Sequence, residues 1–385
     1  MKIILNTIPA KKIGGGAFQI SLNFLLKTLE SDYGDIQWYY FVSSDLDDVV
    51  GHHFKDSINK SYFVFPNQPD YKTYFSVQRR ISKIERLIQP DLVFSILAPS
   101  YFFFKTPEVM RCCNAWDLIP KTHIAYKTLD FKTRIKYTIR ATVVKLLMKR
   151  TRFFLTQTST AKEGIAKLMH LNGDSIKVVS NVLPLTFSSV DTSKSTHSGI
   201  NVVYVAAWFP HKNIGIIPQI ADILKKKYAF SEVRFLLTIP FENKEAISFM
   251  EDTAKRLGVS EMIVNMGRMK QADLSNLYRE SDIGFFPSLL ETFSATLLEY
   301  MKFNLPIVAS DFSFNRDVAE DAALYFEPAD PESAAKCLAD LINNQALIIK
   351  LSEKSKERIT HFNSFDRYYK ETVDFLLLVA NHKIS

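Results

Sequence analysis

The chain has 385 residues, ample for two domains that each bury a core. Its 47% hydrophobic and 23% charged content is that of an ordinary globular protein, which excludes a disordered, collagen-like or disulfide-stapled class. Three cysteines (Cys112, Cys113, Cys337) give neither a disulfide framework nor zinc spacing, and a net charge of +7 favours anionic partners.

In chain order, apolar runs alternate with helical periodicity, which predicts α/β layers on parallel sheets. Met1 to Asn6 is too short an apolar run for a signal peptide and reads as a first buried strand, Lys2–Asn6. The run Gly14-Gly15-Gly16 follows; it permits positive φ and close backbone approach, as in a common tight turn or beside a phosphate or sugar. Further strands are expected near Gln37–Val42, Tyr62–Phe65, Asp91–Ile96, Val109–Ala115 and Phe153–Gln157, with helices at Phe18–Leu29 and Val77–Ile88. Asp45-Leu46-Asp47 has the spacing of a divalent-ion site, but among Ser43, Ser44 and Asp48 it reads as a surface loop with no metal. Leu92 to Phe104 is the most membrane-like stretch; Pro99 breaks it, and it is too short to span a bilayer. A cytoplasmic protein is expected, with peripheral contact at the inner face of the plasma membrane as an open addition.

Between Lys121 and Arg152 ten basic residues meet one acidic residue, Asp130. Ile135, Ile139, Val143, Leu146 and Leu147 recur there at three- and four-residue steps, a basic amphipathic helix around 130–150. Two readings stand: an apolar face in the core with a solvated basic face, or a surface for anionic lipid headgroups where a lipid-linked acceptor is met. Nucleic acid is not expected, because no RNA-binding signature accompanies the charge. After Asn181 the chain turns small and polar, Ser188 to Gly199, the best linker candidate. A second alternating series restarts at Asn201–Ala206, with strands near Val233–Thr238, Met262–Asn265, Ile283–Phe286 and Ile307–Ala309. Two Rossmann-like domains facing across a cleft follow, with ligand sites expected in that cleft.

The stretch Phe286 to Glu299 carries the chemistry. An apolar run ends at Pro287-Ser288, a polar turn holds Glu291, and an apolar helix start leads to Glu299. Eight residues at helical rise separate the two carboxylates by roughly 12 Å. They are too far apart to share a proton, but they match the span from a sugar to the ribose of its nucleotide. The helix start between them offers N–H groups and a positive dipole end to a phosphate. The plain alternative is a solvated helix glutamate at 299.

Pro287-Ser288 before Glu291, the aromatic Phe293, and Glu299 followed by Tyr300-Met301-Lys302 and Leu305-Pro306 resemble the donor-site motif of family-4 retaining glycosyltransferases. The resemblance runs over about residues 1–345. It implies the GT-B fold: residues 1–187 form an acceptor-side Rossmann-like domain and 188–362 a nucleotide-sugar-binding one. It also implies that the C-terminal helix, within 363–385, crosses back onto the first domain. Gly15 and Gly16 then correspond to the family's glycine loop. Val205 to Asn213 resembles a branch with a Pro-His-Lys-Asn string: Lys212 matches the pyrophosphate lysine, and Ala207 stands where an arginine is usual. His211 or Arg268 is left to supply the missing donor, and Asn213 lies beside them. Met266-Gly267-Arg268 matches the base-binding turn. Thr292 and Ser294 replace two usual glycines, and their hydroxyls, with Thr296 after them, suit capping the helix and bonding phosphate. Where the family often has His-Asp-Leu, this chain has Trp116-Asp117-Leu118, and Asp117 reads equally as a residue facing the sugar or as a cap.

The resemblance thus implies a retaining, metal-independent transferase that moves a sugar from a nucleoside diphosphate to a glycan or lipid-linked acceptor. Bacterial surface polysaccharide synthesis, as in lipopolysaccharide, O-antigen or capsule, is the expected setting. No cofactor is expected beyond the nucleotide-sugar itself. Glu291, Lys212 and Asp117 are the expected catalytic residues. A nucleotide-sugar-binding subunit without activity, and an epimerase or phosphorylase on the same fold, remain the alternatives.

Overall fold

The computed structural model describes residues 1–12, 16–54, 60–67, 73–184, 187, 190–270, 272–362 and 364–381. The chain divides into two compact units. One comprises Met1–Ile119, Ile135–Ser180 and Phe365–Ser385; the other comprises Pro120–Arg134 and Asn181–Ser364.

The N-terminal unit is built on seven parallel strands: β1 (Lys2–Asn6), β2 (Gln37–Ser43), β3 (Tyr62–Phe65), β4 (Leu92–Ser95), β5 (Glu108–Arg111), β6 (Phe153–Thr156) and β7 (Ile176–Val178). Their order is β3-β2-β1-β4-β5-β6-β7. The central strands are near-continuous apolar runs because helices cover both faces; every residue of β4 and β5 is buried. The C-terminal helix Phe365–Ala380 belongs to this unit, as the resemblance implied. Tyr368 and Tyr369 pack on the buried ring of Phe24 at 6.3 and 5.1 Å. Lys27 to Asp366 at 2.7 Å and Tyr33 Oη to Asp374 at 2.6 Å pin the same helix at its exposed edge.

The C-terminal unit has six parallel strands: β8 (Ile200–Tyr204), β9 (Val233–Leu237), β10 (Ile263–Asn265), β11 (Ile283–Phe286), β12 (Ile307–Ser310) and β13 (Ala323–Phe326). The order is β10-β9-β8-β11-β12-β13, so the run of neighbours reverses direction between β8 and β11. Both sheets therefore follow the doubly wound, Rossmann-like order.

Several expectations change in detail. The strand expected over Val109–Ala115 ends at Arg111, because Asn114 accepts the Trp116 N–H at 3.2 Å and starts a short 3₁₀ turn, Ala115–Asp117. The edge strands β7 (three residues) and β13 (four residues) had no expectation. Asp45 and Asp47 lie in a helix, Ser44–Phe54, and not in a loop. Asp45 accepts the Lys12 N–H at 2.8 Å and Asp47 the Tyr62 hydroxyl at 2.9 Å, so both serve the scaffold. The basic helix forms at Phe131–Met148, but its apolar stripe does not enter the core. Only Val144 and Met148 are buried, while Ile135, Ile139, Val143 and Leu146 are exposed.

Candidate donor site in the C-terminal unit

Strands β8 and β11 are hydrogen-bonded neighbours that leave the sheet toward helices on either side, the switch point where open α/β sheets hold ligands. The chain after β8 makes a 3₁₀ turn, Pro210–Lys212. The chain after β11 makes the loop that holds Glu291. Two backbone facts lock the loops together: Leu289 N–H donates to the His211 carbonyl at 2.7 Å, and the Ser288 hydroxyl lies 3.2 Å from the same oxygen. Lys212 Nζ then meets Glu291 Oε1 at 2.5 Å, with side chains 20% and 13% exposed. This is a partly buried ion pair that retains access to solvent. Ser288 Oγ also donates to Glu291 Oε1 at 2.8 Å, and the Lys212 carbonyl accepts from Tyr204 Oη at 3.1 Å.

The turn geometry explains the Pro-His-Lys-Asn string. Pro210 suits the first turn position, and Asn213 takes φ +54°, the left-handed conformation that asparagine tolerates. The Asn213 side-chain nitrogen is buried with no hydrogen-bond partner among the described residues. His211 stacks on Phe209 at 5.8 Å. Burial pushes its imidazole down to about 4, against an upward pull from Glu291, so it is neutral near pH 7.

The helix Ala295–Lys302 follows the loop. Ser294 occupies its N-cap position in extended conformation, but its side chain makes no capping bond. The first N–H groups of the helix are thus left without the usual side-chain acceptor. Gly284 sets how closely this helix packs: a Cβ there would fall 2.5 Å from the Tyr300 ring. Tyr300 Oη bonds the carbonyls of Val203 and Phe285 at 2.9 and 3.1 Å, tying the helix across β8 and β11. Thr296 Oγ1 lies 3.5 Å from the Val205 carbonyl. Glu299 is 7% exposed and bonded by the hydroxyl of the fully buried Tyr278. Burial raises its carboxyl to about 7, and the Tyr278 hydrogen bond works against that rise.

The other expected donor residues lie on separate elements. Gly267 follows β10 with φ +71°, and a Cβ would fall 2.2 Å from Phe241, so glycine is required there on two counts. Arg268 is exposed beside it. Thr292 and Ser294 are buried, and Phe293 packs edge-on against Phe362 at 5.9 Å. In the N-terminal unit, Gly16 opens the helix Gly16–Glu30, and a Cβ there would meet nothing within 4 Å. Gly15 lies outside the described residues.

Asp117 also belongs to the N-terminal unit. Its side chain, 1% exposed, faces Arg140, with Nη1–Oδ1 at 3.0 Å and Nη2–Oδ2 at 3.2 Å. Burial lifts its carboxyl to about 6 while Arg140 pulls it back. Trp116, which stands where the family often has histidine, is buried and packs against Tyr137 at 4.6 Å.

The supporting residues were not foreseen. Behind Ser288, Ser310 Oγ donates to the Ser288 carbonyl at 2.6 Å, and Asn315 Nδ2 donates to the Ser310 carbonyl at 2.8 Å. Tyr278 and Tyr204 carried no expectation. A tyrosine where phenylalanine would fill the same space is the available signal, because its buried hydroxyl needs a partner.

Residues 192–360 match the family model described as "Glycosyl transferases group 1". Among curated proteins, the O-antigen chain mannosyltransferase RfbU of Salmonella typhimurium is 23% identical over 227 residues, 59% of this chain and 58% of that one. An uncharacterized glycosyltransferase of Methanocaldococcus jannaschii is 26% identical over 128 residues, 33% of each chain. The chain thus spans about a third to three-fifths of the length of these relatives. Among solved structures, Anabaena HepE in complex with UDP-glucose has a TM-score of 0.70 at 14% identity, covering 99% of this chain and 100% of that one. WaaG, a glycosyltransferase involved in lipopolysaccharide biosynthesis, has a TM-score of 0.64 at 12% identity, covering 98% and 99%. The fold is that of these GT-B proteins, two parallel-sheet α/β domains with the last helix on the first.

Proposed function

We propose that the chain is a glycosyltransferase that takes a sugar from a nucleoside diphosphate and transfers it, with retention, to a glycan or lipid-linked acceptor of a bacterial surface polysaccharide. The observation that carries this reading is the Lys212–Glu291 pair at the switch point, 2.5 Å apart and partly open to solvent, beside a helix start whose N-cap residue, Ser294, makes no capping bond. Likeness to RfbU and to HepE with UDP-glucose supports the substrate class. A free ion pair at that position is ready to be exchanged: the diphosphate takes Lys212, and Glu291 is released toward the sugar hydroxyls and the anomeric carbon.

Lys212 and the N–H groups after Ser294 neutralise the charge that grows on the departing diphosphate, a preorganised electrostatic contribution. A point charge suffices for this, which suits lysine. The neutral imidazole of His211 adds a donor or acceptor, not a second cation. Glu299 receives the ribose hydroxyls. Gly267 and Arg268 receive the base. The scheme calls on no metal ion. In this scheme Asp117 stays paired with Arg140 and supports the N-terminal unit.

Glu291→Ala and Lys212→Ala test the reading in a product assay with UDP-, GDP- and ADP-sugars, each run with and without added phosphate. Both substitutions are expected to lower transfer by about 10²–10³-fold with little change in melting temperature. Wild-type turnover in either variant would sink the site assignment. A C-epimerised nucleotide-sugar, a sugar phosphate, or tight nucleotide-sugar binding without turnover would instead identify the epimerase, phosphorylase or binding-subunit alternatives.

A further inference from the structure

The helix Phe131–Met148 carries Lys132, Arg134, Lys136, Arg140 and Lys145 and no acidic residue. Its buried side is narrow, Val144 and Met148. Opposite, Phe131, Ile135, Ile139, Val143 and Leu146 are 75%, 45%, 60%, 48% and 62% exposed. Steps of four, four, four and three keep these five side chains on one face, a stripe about 22 Å long at helical rise. Single exposed apolar residues are ordinary, but a continuous line of them marks an interaction surface. On the helical wheel Lys136 borders the stripe on one side and Arg134 and Lys145 on the other, while Lys132, in the first turn, and Lys149, just beyond the helix, lie in line with the stripe at its two ends.

Two further arginines are held by their own unit. Arg140 pairs with Asp117, and Arg150 donates to the carbonyls of Phe102 and Ser100. Arg150 also lies 4.3 Å over the ring of Phe103, which is 52% exposed and adds an aromatic at the C-terminal end of the helix.

We propose that this face docks onto an anionic phospholipid bilayer, with the helix lying in the plane of the interface. An aliphatic stripe fits the boundary of headgroups and acyl chains, while the lysines bordering it extend to the phosphates. The flanking charge is of one sign, so it complements anionic headgroups. It also opposes a second copy of the same face, whose lysines would be brought against these. A nucleic acid backbone would use the lysines but leave five aliphatic side chains in water. The surface is independent of the donor site and stands whether or not the assigned reaction is right. No helix among the described residues is long and apolar enough to cross a membrane, so the contact is with one leaflet.

The test is cosedimentation of the full chain with vesicles of equimolar phosphatidylglycerol and phosphatidylcholine, against vesicles of phosphatidylcholine alone. Wild type is expected to bind the anionic vesicles at least tenfold more tightly. The combined variant Lys132→Gln, Lys136→Gln, Lys149→Gln is expected to lose on the order of 100-fold, at about fivefold per lysine. Ile139→Asp with Leu146→Asp is expected to lose more than about tenfold while all lysines remain. Since every substituted side chain is exposed, circular dichroism and melting temperature should be unchanged in both variants. Equal binding to both vesicle types would overturn the proposal, as would variants that bind like wild type. A concentration-dependent dimer that the aspartate pair dissolves, with no vesicle binding, would also overturn it and assign the stripe to self-association.

Discussion

The two units share one strand order, and the scaffold closes off the buried carboxylates of the N-terminal unit while Glu291 of the C-terminal unit stays partly open. In the N-terminal unit each is consumed by the scaffold. Glu85 accepts the N–H groups of Lys105 and Thr106 at 2.7 and 2.8 Å, and Glu108 accepts the Ser95 hydroxyl at 2.5 Å. Asp117 is closed off by Arg140. In the C-terminal unit Glu291 shares its charge with a lysine that remains partly accessible, and both lie on loops after neighbouring strands. Burial and a displaced pKa therefore do not separate site from scaffold here: Glu108 is raised to about 7, as Glu299 is. What sets Glu291 apart is that its partner, Lys212, remains partly accessible, so a ligand can replace it.

The sharpest way to break this contrast is to compare Glu291→Ala with Asp117→Ala. The first should cost transfer about 10²–10³-fold and leave melting temperature nearly unchanged. The second is a stability change: with Arg140 left unpaired but 35% exposed, it should lower stability by about 1–3 kcal/mol in urea unfolding. If Asp117→Ala abolished transfer without loss of stability, Asp117 would move from scaffold to site.

Of intermediate size is Gly284→Ala. The added methyl would press on Tyr300 from 2.5 Å and displace the helix that ends at Lys302, costing about 2–3 kcal/mol. Because Glu299 rides on that helix, nucleotide affinity should fall in step, measured by calorimetry with UDP. Unchanged affinity at reduced stability would show that helix placement does not matter to the nucleotide.

A pH-dependent effect concerns Glu299. Its folded carboxyl stands at about 7 against an ordinary 4.5. Across that window the folded chain holds a proton that the unfolded chain has released. This group's contribution to stability therefore falls as pH rises from about 4.5 to 7 and is flat above. Glu299→Gln removes the dependence, so melting curves from pH 4.5 to 8 should show the variant gaining on wild type up to about pH 7 and then running parallel. A constant difference across the range would mean that the carboxyl is ionised throughout.

Legibility in the sequence followed the physics of each feature. Buried parallel strands are mostly apolar runs, and Lys2–Asn6, Val233–Leu237 and Ile283–Phe286 stand out for that reason. The edge strand β7 is three residues interrupted by Lys177 and carries no such signal, whereas β3 and β13 are short apolar runs at the sheet edges, of which only β3 had an expectation. Lys212 and Glu291 were visible as polar residues in turns after strands, although 79 positions apart. Their contact was not, since it depends on β8 and β11 being neighbours and on the Leu289–His211 bond.

The basic helix marks the boundary most clearly. Its charge, length and apolar period are properties of the sequence, and so are the α/β alternation and the donor motif from Pro287 to Glu299. Which face of an amphipathic helix is covered is not written in its period, because the same stripe satisfies a core or an interface equally well. Packing settled it: Val144 and Met148 turn inward and Arg140 reaches Asp117, so Ile135, Ile139, Val143 and Leu146 face outward. The order of strands, the partner of each carboxylate and the exposure of that stripe are relations between distant segments, and only the folded chain decides them.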